Sequence, residues 1–336
     1  GDAIRLHLTN RFGSRAITLG PVRVGVSGGG PVVVPGSDRP VRFAGRLTVR
    51  IPVGADVVSD PVSLTVIAGT ELAVSIHVAG ASGAVTWHRY ANSASYVSGA
   101  GTGDRTADVA GVSYRGVGLS WFWLDGIDTR SDYAGTIVAV GDSITDGYDS
   151  LQVQPTPWPD LLAARLENGP APGQRAVVNA GIAGNRLAGP PICGPCGPST
   201  LSRLTGDVLG LPGVTGVIVF EGTNDLGVGS SASTVIAALR QVANAAHRRG
   251  IQAFGATITP RSDRTWTPAM EAAREAVNRW IRTGGTFDAV FDFDGALRDP
   301  TNPRRLFAAY DSGDGLHPSS AGLAVLAGSI DTSRLA

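Results

Sequence analysis

The sequence predicts an all-β sandwich over residues 1–130, followed over residues 134–336 by an α/β domain of three layers, α/β/α, built on a five-stranded parallel sheet. Three observations predict this. Up to about residue 130, short alternating segments such as Ile4-Arg5-Leu6-His7-Leu8, Arg46 to Ile51 and Leu72 to Val78 recur between clusters of Gly, Pro, Ser and Asp. A period of two places alternate side chains on opposite faces, as half-buried antiparallel strands require. From about residue 134 the pattern becomes apolar runs of strand length alternating with helical stretches. Finally, 336 residues with 43% hydrophobic and only 17% charged content suffice for two cores.

In the second domain, strands are predicted at 136–140, 175–179, 216–221, 251–258 and 288–293, and helices at 158–168, 199–209, 231–249, 268–283 and 318–329. In the helix at 231–249, Val235, Leu239, Val242 and Ala246 form an apolar stripe at helical spacing, with Arg240, His247 and Arg248 off it and Gly250 positioned to end it. Thr267 followed by Pro268 marks a helix start. Strand-helix alternation over five units implies a parallel sheet covered on both faces. Ser27 to Gly30 and Gly169 to Gly173 are predicted loops, and no internal repeat is present.

The formal net charge is zero, and the 28 basic residues other than histidine are all Arg, without a basic run. That argues against nucleic-acid partners and against an anionic membrane surface. No apolar stretch is long enough to span a bilayer, and the first residues do not form a secretory signal. The chain starts inside strand-like sequence, as a processed precursor would.

The residues with chemical promise follow the predicted strands. Ser143 lies on a glycine-flanked turn, Gly141-Asp142-Ser143, after the first strand. Gly181 to Asn185 follow the second, Gly222-Thr223-Asn224-Asp225 the third, and Asp314-Gly315-Leu316-His317-Pro318 comes after the fifth. In a doubly wound sheet these loops converge at the carboxyl ends of the strands. Ser143 would attack a carbonyl as His317 takes its proton, with Asp314 orienting the imidazole. Charge on the former carbonyl oxygen would be met by the Ser143 N–H, the Gly184 N–H and the Asn224 amide. Pro318 disfavours helical geometry at His317 and so sets it at a loop-helix junction. Asp142, Thr145 and Asp146 are expected to be turn and cap residues, and Glu221 to structure the Asn224 loop.

Taken singly, each motif also fits an ordinary turn or cap. Together and in this order, they resemble the four blocks of the GDSL, or SGNH, hydrolase family, over roughly residues 136–330. The resemblance implies a flavodoxin-like catalytic domain without cofactor or metal. It makes Ser143 the nucleophile, Gly184 and Asn224 oxyanion-hole residues, and His317 the base with Asp314 as its partner. Trp158-Pro159-Asp160, the Asn179 to Arg186 loop and Asp311-Ser312-Gly313-Asp314 resemble a subgroup of secreted bacterial members with an N-terminal sandwich, similar to xylan-degradation-associated esterases. Asp149 departs from that subgroup, which more often carries a small residue there.

Cys193-Gly194-Pro195-Cys196 matches a thiol-disulfide exchange motif, but it sits in a proline-rich loop without a preceding strand. A structural disulfide beside the active site is the favoured reading, fitting an oxidising compartment; a free pair and a metal site are the alternatives. Trp87, His88, Tyr90, Trp121 and Trp123 form either a sugar-stacking platform or, as favoured, core and interface filling. Alternation places Trp121 and Trp123 on one face, opposite Phe122 and Leu124. His7, His77 and His247 are assigned structural or surface roles.

The expectation is a secreted serine ester hydrolase acting on small-molecule or polysaccharide esters, with acetyl groups on polysaccharide favoured. A lipid-directed esterase or lysophospholipase is one alternative; a catalytically inactive binding protein whose sandwich does the work is the other. Oligomeric state is left open. With histidine as base, kcat/KM should rise with pH through the ordinary histidine value of ~6.5.

Overall fold

The computed structural model describes residues 1–91, 93–148, 156–169 and 174–335. The chain divides into two compact units, Gly1–Asp132 and Tyr133–Ala336.

The first unit is a β-sandwich. One sheet centres on β1 (Ala3–Thr9), which pairs antiparallel with β5 (Asp56–Val58), β6 (Val62–Ser63) and β12 (Leu124–Arg130). The other centres on β2 (Ile17–Val26), paired antiparallel with β3 (Arg39–Val41), β4 (Val49–Ile51) and β7 (Leu72–Val78). Ile4, Leu6 and Leu8 of β1 share one core with Leu19, Val22 and Val24 of β2. Arg5, between them, points out to Asp128 at 2.8 Å. The alternation in the sequence is therefore the division between core and solvent. The predicted strand at 46–51 is shorter, because Phe43 and Arg46 exchange backbone hydrogen bonds across a turn.

Two small ribbons complete this unit. β8 (Trp87–His88) pairs with β11 (Trp121–Phe122), and β9 (Ser95–Ser98) with β10 (Tyr114–Gly118). Two expectations need correction here. Trp123 has φ +59°, which breaks the strand between β11 and β12. Trp123 and Leu124 consequently both pack on the sandwich core rather than facing opposite ways. Trp87 and Trp121 do not fill the core, being 45% and 43% exposed. They also form no common platform: Trp121 sits across from His88 and Trp87 across from Phe122, so the two indoles lie on opposite faces of the ribbon.

The second unit holds five parallel strands, β13 (Thr136–Gly141), β14 (Ala176–Gly181), β15 (Val214–Phe220), β16 (Gln252–Ala256) and β17 (Ala289–Phe291), in the order β14-β13-β15-β16-β17. This 2-1-3-4-5 order is flavodoxin-like. Both sheet faces are buried, which is why the strands read as continuous apolar runs. Ile137, Ala139, Ile218 and Phe220 face one layer, made of α2 (Trp158–Glu167), α7 (Phe293–Leu297) and α8 (Ser320–Ser329). Val138, Val140, Val217 and Val219 face the other, made of α3 (Thr200–Leu204), α5 (Ala232–His247) and α6 (Pro268–Thr283). Trp158 is fully buried against Phe293, whose ring meets Phe220 edge-on.

The helix ends follow the local signals. The Thr267 side chain accepts from the Met270 N–H with Pro268 at the first turn of α6, and Gly250 takes φ +70° just beyond α5. The predicted helix at 199–209 is α3 continued by a π-helical turn, Thr205–Leu209, in which the Gly210 N–H reaches the Thr205 carbonyl. Residues 292–293, predicted as strand, instead open α7, because the Asp292 side chain caps it by accepting from the Gly295 N–H. The single-turn helices α1 (Ser143–Asp146) and α4 (Thr223–Gly227) add to the predicted set. Of the Gly169 to Gly173 loop, 170–173 lie outside the described residues. Among the described residues, no helix is long and apolar enough to cross a membrane.

Candidate active site

The strand order reverses between β13 and β15, and the site lies at that switch point. Ser143 follows β13 and Asn224 follows β15, so the two flank the crevice that doubly wound sheets leave there. Asp142 caps α1 by accepting from the Ile144 N–H at 2.9 Å, which makes Ser143 the first helical residue. The turn is tight. A Cβ on Gly181, at the end of β14, would lie 2.2 Å from the Asp146 backbone N.

Ser143 and His317 are 174 residues apart in sequence, yet Ser143 Oγ lies 2.9 Å from His317 Nε2. His317 Nδ1 lies 2.6 Å from Asp314 Oδ2. The three-residue spacing of Asp314 and His317 has a local cause. Asp314 Oδ1 accepts from the Leu316 and His317 N–H groups, both at 2.8 Å, curling the loop so that Oδ2 meets the ring. Burial opposes the charge on Asp314, but the hydrogen bonds from the His317 ring and these two amides outweigh it and hold its pKa below the ordinary value. Ser143 and His317 are 6% and 8% exposed, and the Tyr148 ring meets the imidazole edge-on at 5.0 Å.

The candidate oxyanion donors converge through a second set of bonds. Asp146 Oδ2 accepts from the Ala183 N–H at 2.8 Å, beside Gly184. Gly184 has φ +78°, and a Cβ there would lie 2.4 Å from Cys196 Sγ, so only glycine fits. Cys193 and Cys196 form a disulfide, and that loop backs Gly184. Asn224 Nδ2 donates to the Asn185 carbonyl at 2.8 Å, which leaves its second N–H for a ligand. Asp225 accepts from the Leu187 N–H at 2.8 Å, tying the same loop to α4.

Behind these groups lies a buried polar layer. Asn185, 1% exposed, donates to the Cys196 and Pro198 carbonyls and accepts from Thr200 and Arg203. Thr200 Oγ1 lies 3.1 Å from Asn185 Oδ1 and 3.2 Å from Glu221 Oε1, and one hydroxyl proton cannot serve both. Burial, with Asp142 and Asp225 nearby, raises the Glu221 pKa well above its ordinary value, against the pull of Arg203 and Thr200. Burial likewise raises Asp142 to about 6, against the pull of the Ile144 N–H.

Ser143, Gly184, Asn224, Asp314 and His317 thus share one rim. Asp142 and Asp146 serve as cap and brace. Asp149 lies outside the described residues. His247 is a surface residue, with Nε2 2.9 Å from Asp288 Oδ2. The sequence reading took Asn185 only as the end of the Gly181 to Asn185 loop and did not single out Thr200 or Arg203. Three successive strand-to-helix loops packing on one polar layer is a tertiary fact, and an Arg inside a helical stretch carries no local mark of burial. A cavity of about 450 Å³ opens elsewhere, between α3 and α5, lined by Leu201, Leu204, Gln241 and Arg248 among others, and holds none of the rim residues.

A hydroxyl, imidazole and carboxylate in series at the switch point of a 2-1-3-4-5 sheet are the groups that a serine hydrolase requires. Residues 139–325 match the model of the GDSL-like lipase/acylhydrolase family, and the chain belongs to that family. It is thereby a carboxylic ester hydrolase by class. Similar solved structures include a carbohydrate acetylesterase family member from Sinorhizobium meliloti, at 16% identity and TM-score 0.47, covering 58% of this chain and 94% of that one. A catalytic mutant of an acetylxylan esterase from Geobacillus stearothermophilus is similar at 18% identity and TM-score 0.45, covering 60% and 94%. A GDSL-like lipase from Bacteroides thetaiotaomicron is similar at 17% identity and TM-score 0.44, covering 60% and 88%. No curated protein matches the sequence. Family membership rests on the sequence match rather than on these structural likenesses.

Proposed function

We propose that the protein hydrolyses carboxylic esters through an acyl-enzyme on Ser143. The observation that carries the reading is the unbroken relay from Ser143 Oγ through His317 to Asp314. As Oγ bonds to the ester carbonyl carbon, its proton passes to Nε2, and Asp314 stabilises the imidazolium. The carbonyl oxygen becomes an oxyanion facing the Ser143 and Gly184 N–H groups and the Asn224 amide. Nε2–H then protonates the leaving alcohol, the C–O bond breaks and the acyl group stays on Oγ. Water attacks that acyl carbon, giving its proton to Nε2, and the carboxylic acid leaves as Oγ is reprotonated.

The substrate class we propose is acetyl esters on carbohydrate, supported by the resemblance of the Trp158, Asn179 to Arg186 and Asp311 to Asp314 segments to xylan-esterase-like members. Secretion is part of the same proposal, since the Cys193–Cys196 disulfide suits an oxidising compartment. The test is an ester panel running from acetylated xylo-oligosaccharides to long-chain lipid esters, with Ser143→Ala alongside. Acetyl-sugar preference with an inert variant is expected. A rise in kcat/KM with acyl length would move the substrate to lipid. Failure of a serine-directed phosphonate to label the wild type would reject the enzymatic reading.

A further inference from the structure

Behind the rim lies Arg203, on α3, which is 4% exposed. Its Nη2 donates to the Gly141 carbonyl at 3.2 Å, at the end of the strand that delivers Ser143. Its Nη1 donates to the Ala180 carbonyl at 2.7 Å, near the end of β14, and to Asp207 Oδ2 at 3.1 Å. Its Nε donates to Asn185 Oδ1 at 3.1 Å, on the residue after Gly184. One rigid fork therefore touches the nucleophile strand, the neighbouring strand end and the oxyanion loop together.

A buried guanidinium is a poor device for stability alone. Desolvation costs several kcal/mol per ion, and well-packed apolar replacements of buried ion pairs are often neutral or stabilising. What an arginine supplies and an apolar residue lacks is fixed directionality to several carbonyls at once. Asp207 lies in the π-helical turn that continues α3, and such turns are frequent beside functional sites. The turn accommodates the Asp207 partner within four residues of Arg203 while α3 carries the guanidinium to the strand ends.

We propose that Arg203 is a positioning residue that sets the separation between the Ser143 hydroxyl and the Gly184 N–H. This rests on the reading of Ser143 as nucleophile and Gly184 as oxyanion donor. The oxyanion exists only in the transition state, so loosening that separation lowers kcat and leaves KM nearly untouched. A displacement of about 1 Å at such a site costs on the order of 100-fold in rate.

The test compares wild type, Ser143→Ala, Arg203→Met and Arg203→Lys in p-nitrophenyl acetate hydrolysis, in phosphonate labelling of Ser143, and in thermal melts. Arg203→Lys keeps the charge beside Asp207 and serves if Arg203→Met does not fold. Expected for both folded Arg203 variants is a loss of about 10- to 100-fold in kcat with KM within about threefold, and a matching fall in labelling rate. A role confined to structure would lower the melting temperature without that kcat-against-KM split. Wild-type kcat and labelling in a folded Arg203→Lys would overturn the proposal. An inactive, unlabelled wild type would overturn the underlying reading instead.

Discussion

Replacing Asn224 by Ala separates transition-state stabilisation from framework. The Asn224 amide donates to the Asn185 carbonyl at 2.8 Å, and its second N–H is the one the proposed mechanism assigns to the oxyanion. Deleting an oxyanion donor costs about 2.7–4 kcal/mol, or about 10²- to 10³-fold in kcat. Losing the internal bond and leaving a part-buried carbonyl unpaired costs about 1–3 kcal/mol of folding stability. The two quantities are read in different experiments. Steady-state hydrolysis of p-nitrophenyl acetate gives kcat and KM, and urea denaturation gives the stability. The expected signature is a fall in kcat of at least about 100-fold with KM little changed, and a folded protein somewhat easier to unfold. If kcat stays within about threefold of wild type while Ser143→Ala is inert, Asn224 does not face the oxyanion and the assignment of the rim is wrong.

Three further outcomes follow from named groups. Asp142 is raised from 3.8 to about 6, so the folded state binds its proton more tightly, and its contribution to stability, complete below pH 3.8, is lost as pH rises toward 6. Asp142→Asn keeps an acceptor for the Ile144 N–H, and its stability relative to wild type should grow by up to about 3 kcal/mol from pH 4 to 7 in urea titrations; parallel curves would discount the shift. Asp314 is held below its ordinary pKa, so acidification from pH 7 to 5 leaves this carboxylate ionised, and log kcat/KM should fall with a slope no steeper than one. A slope of two would show a second required group titrating there. Replacing Cys193 and Cys196 together with Ser opens a short loop, which costs about 2 kcal/mol or less in chain entropy, yet removes the sulfur that backs Gly184. A drop in kcat of about tenfold, larger than that on KM, is expected from loss of positioning, and wild-type turnover would show that the loop does not support the rim.

The parallel sheet was legible because its strands are buried on both faces and read as uninterrupted apolar runs, as in Ile137 to Val140. Helix ends were legible where a single residue decides them, as at Thr267 and Gly250. The candidate site was legible because Gly141-Asp142-Ser143, the Gly184 loop, Gly222 to Asp225 and Asp314 to His317 occur in one order, each after a strand, although singly each fits an ordinary turn. Other features are decided at long range. A left-handed Trp123 violates alternation without any mark in the sequence, and the exposed Trp87 and Trp121 have the composition of core residues. Single-turn helices such as α1 and α4 are too short to show a period. Arg203 resembles a surface polar residue until three chain segments close around it.

The contact between Ser143 and His317 joins points 174 residues apart, and His317 sits just before the helix that closes the second unit, α8. His317 follows every strand of the second unit's sheet, so Ser143 meets it only once the segment from Asp314 to α8 has packed onto that sheet. The pair is thus assembled by long-range closure of the sheet rather than by either loop alone, and its 2.9 Å contact marks that closure.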